Sequence, residues 1–193
     1  MSKKDNTTKS KIVSAAWKLF YEQGYDNTTV DEIVAQSGTS KGSFYHYFDG
    51  KDALLSSLSY LFDEKYEELK SCLDGMTAID KLIFLNREIF MMIENSISVD
   101  LLARLLSSQL VTRGERHLLD QNRIYYKLLR SIILSGQQSG EIKNEFSAND
   151  IVKAYAVYER ALMYDWCICG GDYSLCRYSE GMMRQFLDGY VNK

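Results

Sequence analysis

Ile12, Ala15, Ala16, Leu19 and Phe20 recur at i, i+3, i+4, i+7 and i+8, the spacing of one helix face rather than the alternation of a strand. The pattern predicts a first helix over about residues 8 to 23, closed by Gly24 and the turn-forming Asp26-Asn27-Thr28. Thr29-Val30-Asp31-Glu32 reads as a capping box: the Thr hydroxyl can accept from the Glu32 N–H while the Glu32 carboxylate reaches back to the Thr29 N–H. A second helix therefore starts there, with Ile33 and Val34 on its apolar side. It ends at Ser37-Gly38-Thr39-Ser40, where Gly38 permits a sharp turn and Ser40 can cap a third helix over about 41 to 47.

Leu54, Leu55, Leu58, Leu61, Phe62, Tyr66 and Leu69 predict a long fourth helix over about 52 to 74. Thr77-Ala78-Ile79-Asp80 caps a fifth, which carries Leu82, Phe84 or Leu85, Ile89 and Ile93. Two more follow at about 99 to 112 and 115 to 138, the second broken by Gly140. Ser147-Ala148-Asn149-Asp150 opens an eighth through Ile151, Ala154, Tyr155, Tyr158, Ala161 and Leu162, ended by Gly170-Gly171. The ninth, about 174 to 190, sets Leu175, Tyr178, Met182, Phe186 and Tyr190 along one side. The fold class is all-α with nine helices and no convincing strand. It has a three-helix domain at 1–52 and a larger helical domain at 53–193, with helix four running between them to Gly75. The absence of Pro agrees with long helices.

No stretch approaches the roughly 18 apolar residues of a membrane span, and the lysines at the start precede no apolar segment, so the expected place is the cytoplasm. The net charge of −3 gives no global reason to bind nucleic acid. It is unevenly spread. Residues 1 to 51 hold seven Lys and six acids, the remainder 16 Lys plus Arg and 20 acids, and the first 18 residues hold five Lys against one Asp. A basic arm thus leads into an acidic body. Cys72, Cys167, Cys169 and Cys176 are expected as free thiols, because Cys-x-Cys lacks zinc spacing and neither His46 nor His117 is near in sequence. No metal or cofactor is expected. Nor is an enzyme, since two His and no Ser-His-Asp, Glu-x-x-His or phosphate-loop spacing offer no acid, base and oxyanion stabiliser together.

Two short helices around a Gly-containing turn form a helix-turn-helix pattern, and the content of the third helix sharpens it. In Lys41-Gly42-Ser43-Phe44-Tyr45-His46-Tyr47-Phe48, Phe44 and Phe48 can anchor one side, with Tyr47 also read as core. Lys41, Ser43, Tyr45 and His46 are left as donors on the other side. Gly42 is costly inside a helix, which suits close approach by a phosphate backbone. The stretch TVDEIVAQSGTSKGSFYHYFDGKDALL, residues 29 to 55, resembles the DNA-binding signature of the TetR family of bacterial transcriptional regulators, with Thr29, Ile33, Gly38, Ser40, Gly42, Tyr45, Tyr47, Phe48, Lys51 and Leu54 in register. Val34, Ser37 and Thr39 depart from it at packing positions. Ala161 to Cys167 with Gly170-Gly171 and Leu175 is similar, more weakly, to the family's junction between helices eight and nine.

The resemblance implies a cytoplasmic, nucleoid-associated homodimer, with helices eight and nine of each subunit in a four-helix bundle, bound to a pseudo-palindromic double-stranded operator. It implies a ligand-responsive repressor released by a small lipophilic or aromatic effector; control by a protein partner, or activation instead of repression, are the alternatives. On the matching positions, Lys41 and Ser43 would meet base edges, and Thr29, Ser40, Gly42, Tyr45, His46 and Lys51 phosphates. The C-terminal domain is rich in aromatic and thioether side chains. Phe84, Glu88, Met91, Met92, Arg104, Tyr126, Tyr155, Tyr158, Glu159 and Met163 are candidates for an effector site, and Tyr164, Trp166, Tyr178, Met182 and Phe186 for the seam between subunits.

Overall fold

The computed structural model describes residues 3–111 and 116–192, without the side chains of 3–7, 56 and 58. The side chains of Lys3 and Lys4 in the basic arm, that of Leu58, and the junction at 112–115 lie outside the described residues. Among the described residues nine α-helices form: α1 (Lys3–Gln23), α2 (Val30–Ser37), α3 (Lys41–Tyr47), α4 (Leu58–Leu69), α5 (Ala78–Ser96), α6 (Val99–Val111), α7 (Ile124–Gln138), α8 (Ala148–Ile168) and α9 (Leu175–Asp188). Extended pairing is limited to one isolated bridge between Ile142 and Val191.

The expected start and stop signals act as read. Thr29 and Glu32 make both bonds of the capping box, Gly38 closes α2 at φ 64°, and Ser40 caps α3 by accepting from the Ser43 N–H. Thr77 and Ser147 cap α5 and α8 in the same way. Helix four differs from expectation. Lys51–Ser57 and Lys70–Cys72 are tighter 3₁₀ turns flanking a shorter α-helix. Helix seven begins only at Ile124, because Asp120 turns the chain before it: the Asp120 carboxylate accepts from the Asn122 N–H at 2.8 Å and its carbonyl from the Arg123 N–H at 3.2 Å.

The chain divides into two compact units, Met1–Tyr60 with Asp100–Leu118, and Leu61–Val99 with Leu119–Lys193. Asp100–Leu118 joins the first unit, where Arg104 pairs with Asp26 and lies 5.1 Å from the centre of the Tyr25 ring. That unit is built on Ile12, Ala16, Phe20, Ile33, Phe44, Leu54 and Leu102, all at most 1% exposed. The second unit closes on Leu82, Leu85, Ile93, Leu129, Ile133, Leu175, Met183 and Leu187. Gly136 inside α7 has a packing reason. A Cβ there would come within 2.7 Å of Ala78 and Ile142, so only Gly lets these segments approach. None of the described helices is long and apolar enough to cross a membrane.

Candidate functional site

Phe44 is buried completely and Phe48 nearly so, their rings 5.7 Å apart, and this pair fixes which side of α3 faces out. Lys41, Gly42, Tyr45 and His46 are exposed, Ser43 half-buried, and Tyr45 keeps 51% of its surface. Tyr47 departs from its reading as core: it is half-buried, with its ring 4.8 Å from that of His46. The sequence KGSFYHYF thus yields a short helix held by two phenylalanines and presenting an ammonium, hydroxyls and an imidazole. Those are groups that can donate to phosphates and base edges.

Several donors on this face already have partners in the DNA-free chain. Lys41 Nζ lies 2.7 Å from Asp31 Oδ1, and that bond holds its ammonium above its ordinary pKa. The Thr29 hydroxyl accepts from the Glu32 N–H and donates to Oε2 of the same residue, while the Ser40 hydroxyl accepts from the Ser43 N–H and lies 2.9 Å from Ser43 Oγ. Bonds from the Thr29 backbone and side chain pull the Glu32 carboxyl below its ordinary value. Lys51 sits differently from the phosphate contact expected of it. Its ammonium donates to the carbonyls of Tyr25 at 2.7 Å and Thr28 at 2.9 Å and rests over the Tyr25 ring at 4.3 Å, so it staples the α1–α2 turn. The Tyr25 phenol, bonded to Asp52, is pushed up by burial and by that carboxylate.

The residues proposed for an effector do not form one group. Arg104 belongs to the first unit, occupied by Asp26 and Asp100, and is withdrawn from the set. Met91 is 40% exposed, and Glu88 pairs with Arg87, whose guanidinium lies over the Phe84 ring. Met92 and Met163 are half-buried. Tyr158 stacks on Phe186 at 4.6 Å and 10°, which joins it to the residues expected at the seam. Tyr126, Tyr155 and Glu159 are buried. Of the seam residues, Tyr164 on α8 and Tyr178 on α9 are exposed, and Met182 and Phe186 are half-buried at the border of the α9 face that buries Leu175, Ser179, Met183 and Leu187. Trp166 is the correction: it is 4% exposed, and its Nε1 donates to the Tyr173 carbonyl at 2.9 Å, so it locks the α8–α9 loop and has no surface to offer a partner.

Inside the second unit, Glu159 on α8 collects a polar cluster. Its Oε2 accepts from the Tyr125 hydroxyl at 2.6 Å and its Oε1 from Asn86 Nδ2 at 3.0 Å, while the Tyr155 hydroxyl donates to the Leu82 carbonyl at 2.8 Å. Burial raises the carboxyl above its ordinary value against the lowering effect of its hydrogen bonds. Tyr66 packs 5.2 Å from Tyr125, which lies 4.7 Å from Tyr126. Asn86 and Tyr66 escaped the sequence reading as site residues. The usable signal was position: Asn86 falls four residues after Leu82 and three before Ile89, a polar residue on a buried stripe. The cysteines are free, and burial pushes the Cys167 thiol up to about 11, away from reactive thiolate chemistry. Among the described residues no three His, Cys, Asp or Glu gather as a metal site would need.

Residues 12–58 match the family model of bacterial regulatory proteins, tetR family. Over 151 residues, 76% of this chain and 69% of the relative, the chain is 29% identical to the biofilm operon icaADBC HTH-type negative transcriptional regulator IcaR of Staphylococcus aureus (strain Newman). The first curated relatives are 40 to 46% identical, but the chain spans only 20 to 29% of their length. Among solved structures, the transcriptional regulator FadR from Bacillus subtilis in complex with stearoyl-CoA is similar with a TM-score of 0.71 at 23% identity, covering 93% of this chain and 97% of that one. FadR of Thermus thermophilus, in complex with lauroyl-CoA, gives 0.73 at 22%, covering 95% of each. At such identities the likeness is one of fold.

Proposed function

We propose that the chain, whose residues 12–58 match the model of the tetR family of bacterial regulatory proteins, is a regulator of that kind that binds a pseudo-palindromic DNA operator as a homodimer and represses transcription until a small lipophilic or aromatic effector binds the second unit. The observation that carries the reading is the outward face of α3, where Lys41, Ser43, Tyr45 and His46 stand opposite buried Phe44 and Phe48 inside the matched segment. Lys41 and Ser43 would read base edges; Thr29, Ser40, Gly42, Tyr45 and His46 would fix the register on phosphates. Lys51 contributes by shaping the α1–α2 turn. A two-fold dimer needs half-sites about one turn, ~34–36 Å, apart or somewhat more. Tyr164, Tyr178, Met182 and Phe186 supply an apolar seam for it. The acyl-CoA ligands of the two FadR proteins support an effector role for the second unit here.

The test is a fluorescence-anisotropy titration against DNA from upstream of the chain's own gene, with scrambled DNA as control, at about 150 mM salt. Tight, sequence-dependent binding that K41A and Y45A weaken is the expected result. Equal weak binding to both DNAs would remove that promoter as the target and shift weight to control through a protein partner.

A further inference from the structure

We infer that Glu159 and Asn86, inside the tyrosine cluster of the second unit, form a recognition site for the ammonium head of a small organic amine. The inference deepens the effector reading above and rests on it.

Four helices of one unit bring the site together: Tyr66 from α4, Asn86 from α5, Tyr125 from α7, and Tyr155 with Glu159 from α8. All are at most 7% exposed, and Asn86 and Tyr155 are fully buried. A carboxyl at this depth ordinarily has a cationic partner, because burying an unpaired charge is costly. Among the described residues Glu159 makes no ion pair; its bonds come from the Asn86 amide and the Tyr125 phenol, and the charge of Arg160 acts on it only as the least of the effects that lower its pKa. Asn86 shows that the cluster is not self-contained. Its Nδ2 donates to Glu159, yet its Oδ1 is buried with no hydrogen-bond partner, an acceptor left open at a cost of about 1–3 kcal/mol. Exchanging the amide's two ends would leave an open group all the same.

The chemistry of the open groups selects the ligand. A carboxyl without a direct ion-pair partner and a bare amide oxygen both ask for donors, and the phenol rings beside them offer negative faces to a cation. An alkylammonium supplies up to three N–H donors and the missing charge, and its apolar tail suits the surrounding core. A carboxylate or phosphate head would bring more acceptors to a site already short of donors. Glu159 therefore separates this chain from a receptor for anionic head groups.

The experiment uses the full chain free of DNA and three eight-carbon probes that differ only in the head: octylamine, 1-octanol and octanoate, titrated calorimetrically near neutral pH with octanoyl-CoA alongside. Octylamine is expected to bind about tenfold or more tightly than 1-octanol, with octanoate the weakest. E159Q should bring amine and alcohol to within about twofold of each other, since the ionic contribution is gone. N86L removes the open acceptor without adding charge; it should lower octylamine affinity by about threefold to tenfold, at some loss of thermal stability because Glu159 also loses a donor, and, once shown to be folded by circular dichroism, it tests the site even where E159Q fails to fold. Preference for octanoate or octanoyl-CoA, absence of octylamine binding, or unchanged octylamine affinity in the folded variants overturns the inference. Release of DNA is read separately by anisotropy. Octylamine that binds without releasing DNA leaves the site standing and sinks the effector reading; another compound that releases DNA while octylamine fails to bind does the reverse.

Discussion

Lys41 Nζ and Asp31 Oδ1 stand 2.7 Å apart, an ion pair between the first turns of α3 and α2 on the face assigned to DNA. Both side chains are more than half exposed, so the pair adds little to stability, but it occupies the ammonium proposed to read a base. Asp31 also places a negative charge where phosphates would come. D31N is therefore expected to tighten binding to operator and scrambled DNA alike, by about threefold to tenfold, and to steepen the salt dependence by about one phosphate contact. Anisotropy titrations at several salt concentrations check it; unchanged affinity for both DNAs would show that Asp31 lies away from the duplex.

Lys51 separates two explanations of one residue. As a phosphate contact, K51M would weaken DNA binding and leave the fold alone. With its ammonium on the carbonyls of Tyr25 and Thr28, the substitution strips the part-buried Thr28 carbonyl of this donor and leaves that of Tyr25 with the Thr28 N–H. The expected cost is about 1–3 kcal/mol in folding stability, read by chemical denaturation of the DNA-free chain. A variant as stable as the parent but poor at binding DNA restores the phosphate role.

Trp166 and Tyr178 should likewise part company. W166A empties a core position and frees the Tyr173 carbonyl, with an expected loss of roughly 3–5 kcal/mol in stability. Y178A, at an exposed position, is expected to retain helicity while shifting sedimentation toward the monomer. The opposite pattern would move the subunit seam away from α9.

Glu159 makes stability depend on pH in a defined sense. Its carboxyl is raised in the folded chain above the ordinary 4.5, chiefly by burial and against bonds from Asn86 and Tyr125. As pH climbs past about 4.5, the unfolded chain gives up this proton first, and the folded state loses ground until its own, higher value is reached. E159Q has no such proton. Its thermal midpoint, relative to the parent's, should therefore move upward as pH rises from about 4.5 toward the folded-state value. A constant gap would mean that the carboxylate is already ionised in the fold.

The helices that begin at a hydroxyl and end at a glycine were legible, because Thr29, Ser40, Gly38 and Thr77 act on bonds within a few residues of themselves. The donors of α3 were legible for a related reason: Phe44 and Phe48 set a face within one turn. What escaped the sequence depends on distant partners. The destination of the Lys51 ammonium is more than twenty residues away, that of Arg104 is 78, and the bond from Asn86 to Glu159 spans 73. The 3₁₀ turns flanking α4 escaped too, since an apolar stripe at helical spacing does not distinguish the tighter winding from the looser one.

The chain has two tryptophans, and each belongs to one unit: Trp17, whose indole donates to Ser57 Oγ at 3.0 Å, and Trp166, bonded to the Tyr173 carbonyl. Their intrinsic fluorescence is thus a ready-made pair of local probes. In W166F the remaining emission reports on the unit that holds α3, and in W17F on the unit that holds Glu159. An emission shift on adding duplex DNA or an amine can therefore be assigned to one unit without attaching any dye.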